Sequence, residues 1–157
     1  MVCLSTAFRS ALVGPTRAAW APVLVFGLHV FISRVLNAYL LFPPLDIPMH
    51  FFGGVAIAYF FANCFRALPA GSILSWLRPW LAAAMVLALT STATVFWEFA
   101  EFFSDRFLGT HAQLGLGDTL LDMALGIAGG LTYLAMAAKL HTLGDAPTPH
   151  QEVSAQQ

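Results

Sequence analysis

Four long apolar stretches, separated by shorter segments rich in proline, glycine and charged residues, dominate the pattern of the chain. Their approximate limits are 19–42, 49–65, 80–103 and 119–138. A helix needs about 20 mostly apolar residues to cross the hydrocarbon core of a bilayer. Each stretch reaches or approaches that length, so the pattern predicts four transmembrane helices.

The predicted helices form one domain between two polar segments. Residues 1–18 precede the first helix, residues 19–143 hold all four helices, and residues 144–157 form a tail. We expect the tail to be disordered because it is polar and contains proline. The connections are short, so consecutive helices cross the membrane in opposite directions. The predicted fold is an all-α membrane protein, a bundle of four transmembrane helices.

Composition agrees with this fold. The chain is 59% hydrophobic and 10% charged, whereas a soluble domain carries about 25% charged residues. Its net charge of −1 leaves no basic patch for nucleic acid. The two cysteines, Cys3 and Cys64, have neither metal-ligand spacing nor a disulfide pattern.

The distribution of Lys and Arg predicts how the bundle is oriented, because these residues accumulate in cytoplasmic loops. Cations lie before the first helix, around the second connection and after the fourth helix: Arg9, Arg17, Arg66, Arg78 and Lys139. The first connection has no Lys or Arg, and the third has Arg106 alone. This bias predicts that both termini are cytoplasmic and that the first and third connections face outward.

The predicted orientation gathers the acids in one layer. Six of the eight acids lie at the outer ends of helices 2, 3 and 4: Asp46, Glu98, Glu101, Asp105, Asp118 and Asp122. His50 lies one turn into helix 2. Arg34 lies about two turns below the outer end of helix 1, at a rise of about 1.5 Å per residue. The inner ends of the helices carry no comparable cluster.

Helical spacing predicts that these acids point into the bundle, since residues three or four apart share a face. Below the acids, each face continues as a stripe of small or hydroxyl residues. The stripes are Gly54, Ala58 and Ala62 on helix 2; Thr94, Ser91 and Thr90 on helix 3; and Gly126 and Gly130 on helix 4. Small residues let membrane helices approach closely, so we expect the acids on these faces to look inward rather than toward lipid.

Two interpretations of the acids remain open. Charged side chains in hydrocarbon cost at least about 2.5 kcal/mol each and usually mark function. In the first interpretation, Arg34 neutralises one or two acids, and interfacial water hydrates the rest. In the second, the acids outnumber the available positive groups and therefore take up protons or share a divalent cation. His29 and His111 are weaker candidates, the first a packed residue and the second a mobile ligand.

The second interpretation predicts a metal site, with ligands drawn from Asp46, His50, Glu98, Glu101, Asp118 and Asp122. Carboxylates with one imidazole suit Mn, Fe, Zn, Mg or Ca, and the sequence does not choose among them. The predicted catalytic residues are His50, Glu98, Glu101 and Arg34. The acids and His50 act as ligands or general base, and Arg34 binds an anionic group or tunes the acids.

Three segments together resemble the YjdF family of small bacterial inner-membrane proteins and, more loosely, the VanZ-like group. They are "DIPMHFFGG", "WEFAEFF" and "FLGTHAQLGLGDTLLDMALGIAGG". The shared pattern is Asp-x-x-x-His opening one helix, Trp-Glu-x-x-Glu ending the next and Asp-x-x-x-Asp opening the last, over about 45–130. The resemblance implies a multi-pass protein of the bacterial inner membrane. The chain departs from the pattern by its four helices, where related proteins can have more.

These observations predict a cation-dependent site in the outer leaflet that acts on a lipid head group or a lipid-linked envelope intermediate. The alternatives are a cation or proton transporter and a non-catalytic membrane interaction protein. A relay should cross the membrane, yet the inner half of the helices has no acid, which favours a one-sided site. Whether the protein is an enzyme stays open at this stage.

Overall fold

The computed structural model of the chain describes residues 15–68 and 78–144. These residues are largely helical and include no β-strand. Four helical spans are long and apolar enough to cross a membrane: Pro15–Val35, Pro43–Arg66, Pro79–Leu108 and Leu116–Lys139. The predicted all-α bundle of four candidate membrane helices is confirmed. The cytoplasmic location of both termini stays a prediction. Residues 1–14, most of the second connection and the tail from 145 lie outside the described residues.

The described helices begin and end where the local sequence favours it. They are α1 (Trp20–Val30), α2 (Asp46–Arg66), α3 (Pro79–Leu108) and α4 (Leu116–Gly144). Proline suits the first position of α3, where its missing N–H would have no helical partner. Gly109 follows α3 with a φ of 66°, the left-handed conformation that commonly ends helices and that glycine adopts without strain.

The first predicted span, 19–42, is interrupted in the structure. After α1, a π-helical turn, Phe31–Val35, leads to Asn37, which has a φ of 48° and a ψ of 31°. A left-handed residue cannot continue a right-handed helix, and asparagine tolerates this conformation better than most residues. A short helix, Ala38–Leu41, and a 3₁₀ turn, Pro43–Leu45, then connect to α2. The break turns the chain so that Tyr39 lies beside His29 on α1.

The third span is longer than the sequence pattern suggested. The apolar stretch ends near Phe103, but α3 continues to Leu108 and has 30 residues. At about 1.5 Å per residue it is about 45 Å long. Asp105 and Arg106 therefore belong to its last turns rather than to the following connection.

The core of the bundle consists of small side chains. α2 packs against α1, α3 and α4, and α3 also packs against α4. Ala58 and Ala62 of α2 are buried with Val86 of α3. Few large side chains separate these helices, which agrees with the close packing expected between small residues in membrane proteins.

Backbone contact joins α2 directly to α4. A Cβ built on Gly54 would collide with the carbonyl group of Gly126, and one built on Gly126 would collide with the Thr94 side chain of α3. A Cβ on Gly129 would likewise collide with the carbonyl of Phe51. The predicted small-residue stripes of α2 and α4 are therefore confirmed as packing faces, and Thr94 of the α3 stripe is buried against them.

Replacing Gly54 with alanine should lower the stability of the bundle by about 1–3 kcal/mol, the usual cost of overpacking a well-packed interior. The new methyl group would meet backbone atoms, which cannot rotate away. Gly53 is the matched control, because a Cβ there meets nothing within 4 Å. Gly53→Ala should be neutral or mildly stabilising, since alanine favours helix over glycine by about 1 kcal/mol. Thermal unfolding in detergent compares the two variants, and equal midpoints would contradict the close contact.

Candidate functional site

His50 lies at the centre of a group of four carboxylates, and its side chain is only 7% exposed. Its Nε2 atom is 3.4 Å from Asp46 Oδ1, 3.9 Å from Asp122 Oδ1 and 4.0 Å from Glu101 Oε1. Its Nδ1 atom is 3.8 Å from Glu98 Oε1. We call these five residues the His50 cluster. Three helices contribute to it, so the cluster forms only when α2, α3 and α4 pack together.

Helix register directs the acids of the segment "FWEFAEFF" inward. Glu98 and Glu101 are three residues apart on α3 and are 4% and 7% exposed. Phe99 and Phe103 are more than half exposed on the lipid-facing side of the same helix. Residues three or four apart share a face of a helix. The segment therefore places its acids on a packing face and these phenylalanines on an outer face.

The glycine contact sets the position of the cluster. His50 lies one turn before Gly54 on α2, and Asp122 lies one turn before Gly126 on α4. Because the two glycines touch, the residues one turn away are brought close enough for His50 Nε2 and Asp122 Oδ1 to lie 3.9 Å apart. Bulkier residues at these positions would separate the two helices and the two side chains.

Two buried atoms of the cluster, His50 Nε2 and Glu98 Oε1, have no hydrogen-bond partner. Buried polar side-chain atoms are nearly always paired, and leaving one unpaired costs about 1–3 kcal/mol. Three of the contacts of the imidazole nitrogens, at 3.8–4.0 Å, are too long for hydrogen bonds, and the 3.4 Å contact with Asp46 lies beyond the usual range of about 2.7–3.2 Å. Tetrahedral bonds of about 2.0–2.2 Å separate ligand atoms by about 3.3–3.6 Å. The Asp46 contact of 3.4 Å matches this spacing, and the other three contacts, at 3.8–4.0 Å, are slightly wider.

Two overlapping sets of three residues could hold a metal ion. The first is Asp46, His50 and Asp122, and the second is His50, Glu98 and Glu101. Within each set, one ligand atom per residue lies within 4.8 Å of the others. An oxygen-rich set with a single imidazole suits a hard or borderline divalent cation.

Neighbouring side chains orient the carboxylates. Trp97 donates its indole N–H to Glu101 Oε1 at 2.8 Å. The Gln113 amide lies 3.2 Å from the backbone oxygen of Glu98 and 3.5 Å from its Oε2 atom. Supporting groups of this kind fix the orientation of ligands in metal sites. The sequence analysis missed the role of Gln113, because it lies fifteen residues from Glu98 in a connection without periodicity.

Asp105 ties that connection back onto α3. Its carboxylate accepts hydrogen bonds from the backbone N–H groups of Ala112 at 2.8 Å and Gln113 at 2.9 Å, and from the hydroxyl of Thr110. These bonds hold Gln113 over Glu98. Asp105 therefore supports the site without belonging to the His50 cluster.

Two predicted site residues lie apart from the cluster. Asp118 accepts a hydrogen bond from the backbone N–H of Leu114 at 3.0 Å and belongs to neither metal-binding set. Arg34 lies in the π-helical turn, is exposed, and donates to Ser104 Oγ at 3.3 Å. No carboxylate of the described residues pairs with it, so the structure gives no support to neutralisation of the acids by Arg34. His111 is exposed and also lies outside both sets.

His29 is packed, as the sequence suggested, and it lies next to the His50 cluster. It lines a cavity of about 80 Å³ together with His50 and Trp97. Its Nδ1 atom is 3.0 Å from the hydroxyl of Tyr39, and its ring contacts the ring of Trp97 edge-on. Burial raises the pKa of Tyr39 above its usual range, and the nearby carboxylate of Asp46 adds to the shift, so the phenol stays protonated. Only the break at Asn37 brings Tyr39 here, which the apolar pattern could not predict.

Replacing Asp105 with asparagine should loosen the third connection, because hydrogen bonds to a charged acceptor contribute about 1.5–3 kcal/mol each. Amide hydrogen exchange at residues 110–114 should become faster, while exchange in the middle of α3 stays unchanged. Arg106→Gln is the control, since Arg106 is exposed on the neighbouring position. Similar exchange rates in both variants would show that Asp105 does not hold the connection.

Comparisons with known proteins give a family match and one relative. Residues 8–143 match the family model described as "Predicted membrane protein (DUF2238)". An "Uncharacterized protein" of Thermotoga maritima is 34% identical over 116 residues, which are 73% of this chain and 58% of the relative. The chain thus spans little more than half the length of that relative. No solved structure matches. The match is consistent with the YjdF resemblance and gives no support to the looser VanZ-like resemblance.

Proposed function

This chain belongs to the membrane-protein family described as "Predicted membrane protein (DUF2238)", and we propose that its His50 cluster binds a divalent cation. We further propose that the cation acts at the membrane surface on a lipid head group or a lipid-linked envelope intermediate. The observation that carries the proposal is the buried, unpaired Nε2 atom of His50, which faces three carboxylates at 3.4–4.0 Å.

Charge balance supports a bound cation. The cluster has four carboxylates and one imidazole, so even a protonated His50 would leave an excess of negative charge if all four were ionised. In the described residues, Arg34 is not paired with any of them. Packed carboxylates must then take up protons or share a cation, and a divalent ion would satisfy the unpaired atoms of His50 and Glu98 as well.

The five residues would have complementary roles. The ion would take its ligands from Asp46, His50 and Asp122 or from His50, Glu98 and Glu101, two sets that share His50. A carboxylate that is not coordinated could serve as general base. A bound divalent cation can hold phosphate and activate water. Arg34, exposed in the π-helical turn of the same bundle, could bind an anionic group of the substrate.

The packing below the cluster favours a one-sided site over transport. The hydroxyl of Thr94 donates to Ser91 O and that of Thr90 to Val86 O, both at 2.8 Å within their own helix. Further along, Ala58 and Val86 are buried with Ala62 in an apolar core. A cation or proton transporter, the alternative function, would need a polar path through this region, and the described side chains supply little of one.

Metal content distinguishes the proposal from a structural role for the acids. Purified wild-type protein should bind a stoichiometric divalent metal, and Glu101→Gln should weaken binding at least about tenfold, as loss of supporting groups alone does in metal sites. Asp118→Asn should retain the metal, because Asp118 lies outside both sets. At an ion concentration 100 times Kd, the metal should stabilise the wild type by about 2.7 kcal/mol. Elemental analysis and thermal unfolding measure both effects.

The same variants test the head-group part of the proposal. Glycerol 3-phosphate should raise the unfolding temperature of the metal-loaded wild type and have no effect on Glu101→Gln. Arg34→Met should reduce that rise without loss of metal. Two results together would contradict the proposal and leave the acids structural. The wild type would neither contain nor gain a metal, and adding Arg34→Met would restore stability that Glu101→Gln had lost.

We also propose that the protein lies in the bacterial inner membrane with both termini in the cytoplasm and the His50 cluster in the outer leaflet. In a background without Cys3 and Cys64, single cysteines at exposed Leu114 and at Gly144 test this orientation. A membrane-impermeant maleimide should label Leu114→Cys in intact cells and label Gly144→Cys only after lysis. The reverse pattern would place the cluster on the cytoplasmic side.

A further inference from the structure

A second concave surface lies along the seam between α2 and α4. This seam groove has a volume of about 710 Å³. Its walls include Phe51, Val55, Tyr59 and Arg66 of α2 and Tyr133 and Ala137 of α4. None of the residues that line it belongs to the His50 cluster. The volume lies within the range of about 300–1,000 Å³ that is common for pockets that bind small molecules.

The dimensions of the seam groove suit a long apolar chain. From Phe51 to Arg66 the helix advances fifteen residues, or about 22 Å at 1.5 Å per residue. One leaflet contributes about 15 Å, half of the hydrocarbon core. A groove that starts at Arg66 therefore extends through the depth of a complete leaflet. Its α2 wall between Tyr59 and Phe51 is aromatic or aliphatic, and the hydroxyl of Thr132 on α4 donates within its own helix to Ala128 O at 2.8 Å.

The Arg66 end of the groove is polar and cationic. Arg66 is exposed, and its Nη1 atom lies 3.5 Å from the Tyr133 hydroxyl. No carboxylate of the described residues forms an ion pair with it. The ring of Tyr133 contacts that of Tyr59 edge-on, with centroids 6.1 Å apart, which holds the hydroxyl at this end. A guanidinium fork binds phosphate with two parallel hydrogen bonds, and the phenol can donate a third.

We propose that the seam groove binds a phospholipid of the leaflet at the Arg66 end. The phosphate lies on Arg66 and Tyr133, and one acyl chain runs along α2 and α4 toward Phe51. The positive charge of Arg66 favours lipids whose head groups carry a net negative charge. This site is separate from the His50 cluster and does not depend on a bound metal.

Native mass spectrometry of the full-length protein in detergent tests the head-group contact. Phosphatidylglycerol should bind more tightly than phosphatidylcholine with the same acyl chains. Arg66→Gln should weaken phosphatidylglycerol binding about fivefold, the effect of about one basic residue near a membrane surface. Arg66→Lys should keep most of the affinity. Arg78→Gln is the control, because Arg78 is also exposed but does not line the groove. Equal affinities in Arg66→Gln and Arg78→Gln would overturn the proposal.

A pair of neighbouring variants tests the acyl-chain contact even if Arg66→Gln folds poorly. Ala137 lines the groove and Ala138 does not. Ala137→Phe should therefore reduce phosphatidylglycerol binding, while Ala138→Phe should not. Glu101→Gln should leave it unchanged, which separates this site from the His50 cluster. Equal binding of phosphatidylglycerol by the two phenylalanine variants would overturn the proposal. A dimer that Ala137→Phe dissociates and that lipid does not displace would also overturn it, and would show that the groove is a self-association surface.

Discussion

Contact between the backbones of α2 and α4 at Gly54 and Gly126 constrains most of the described structure. Lipid surrounds a membrane bundle with molecules as apolar as its own side chains, so helix association depends on close packing rather than on exclusion of water. Because neither glycine has a side chain, the backbones of α2 and α4 can pack closely at this point. It also leaves a short distance between the residues one turn along each helix, and there His50 and Asp122 meet. The packing that stabilises the bundle is thus the packing that assembles the His50 cluster.

The cluster shows the energetic cost of this arrangement. Four carboxylates are turned away from water onto the inner faces of three helices. Trp97 donates a hydrogen bond to Glu101 at 2.8 Å, and the Gln113 amide lies 3.5 Å from Glu98 Oε2. A bundle with apolar residues at these positions would avoid the desolvation of charge. The four acids therefore lower rather than raise the stability of the bundle when no counter-charge is bound, and a bound ion would convert repulsion among them into coordination.

The sequence predicted the features that depend on local periodicity. Apolar length located four membrane helices, and three- and four-residue spacing placed Glu98, Glu101 and Asp122 on buried faces. Features that depend on distant contacts could not be predicted. The left-handed turn at Asn37, the position of Gln113 over Glu98 and the pairing of Arg34 with Ser104 each arise from where the chain turns. Hydropathy is averaged over a window of residues, so it does not detect a single residue at which the chain changes direction.

The length of α3 affects how the cluster exchanges with its surroundings. Even at an average tilt of about 20°, a helix of about 45 Å still spans about 42 Å, well beyond the hydrocarbon thickness of about 30 Å. In the proposed orientation, part of this excess length lies at the end that bears Glu98, Glu101 and Asp105, where the dielectric constant rises from that of hydrocarbon to that of water. An ion or head group that binds as proposed would therefore reach the cluster by diffusion along the membrane surface, without a pore through the bilayer.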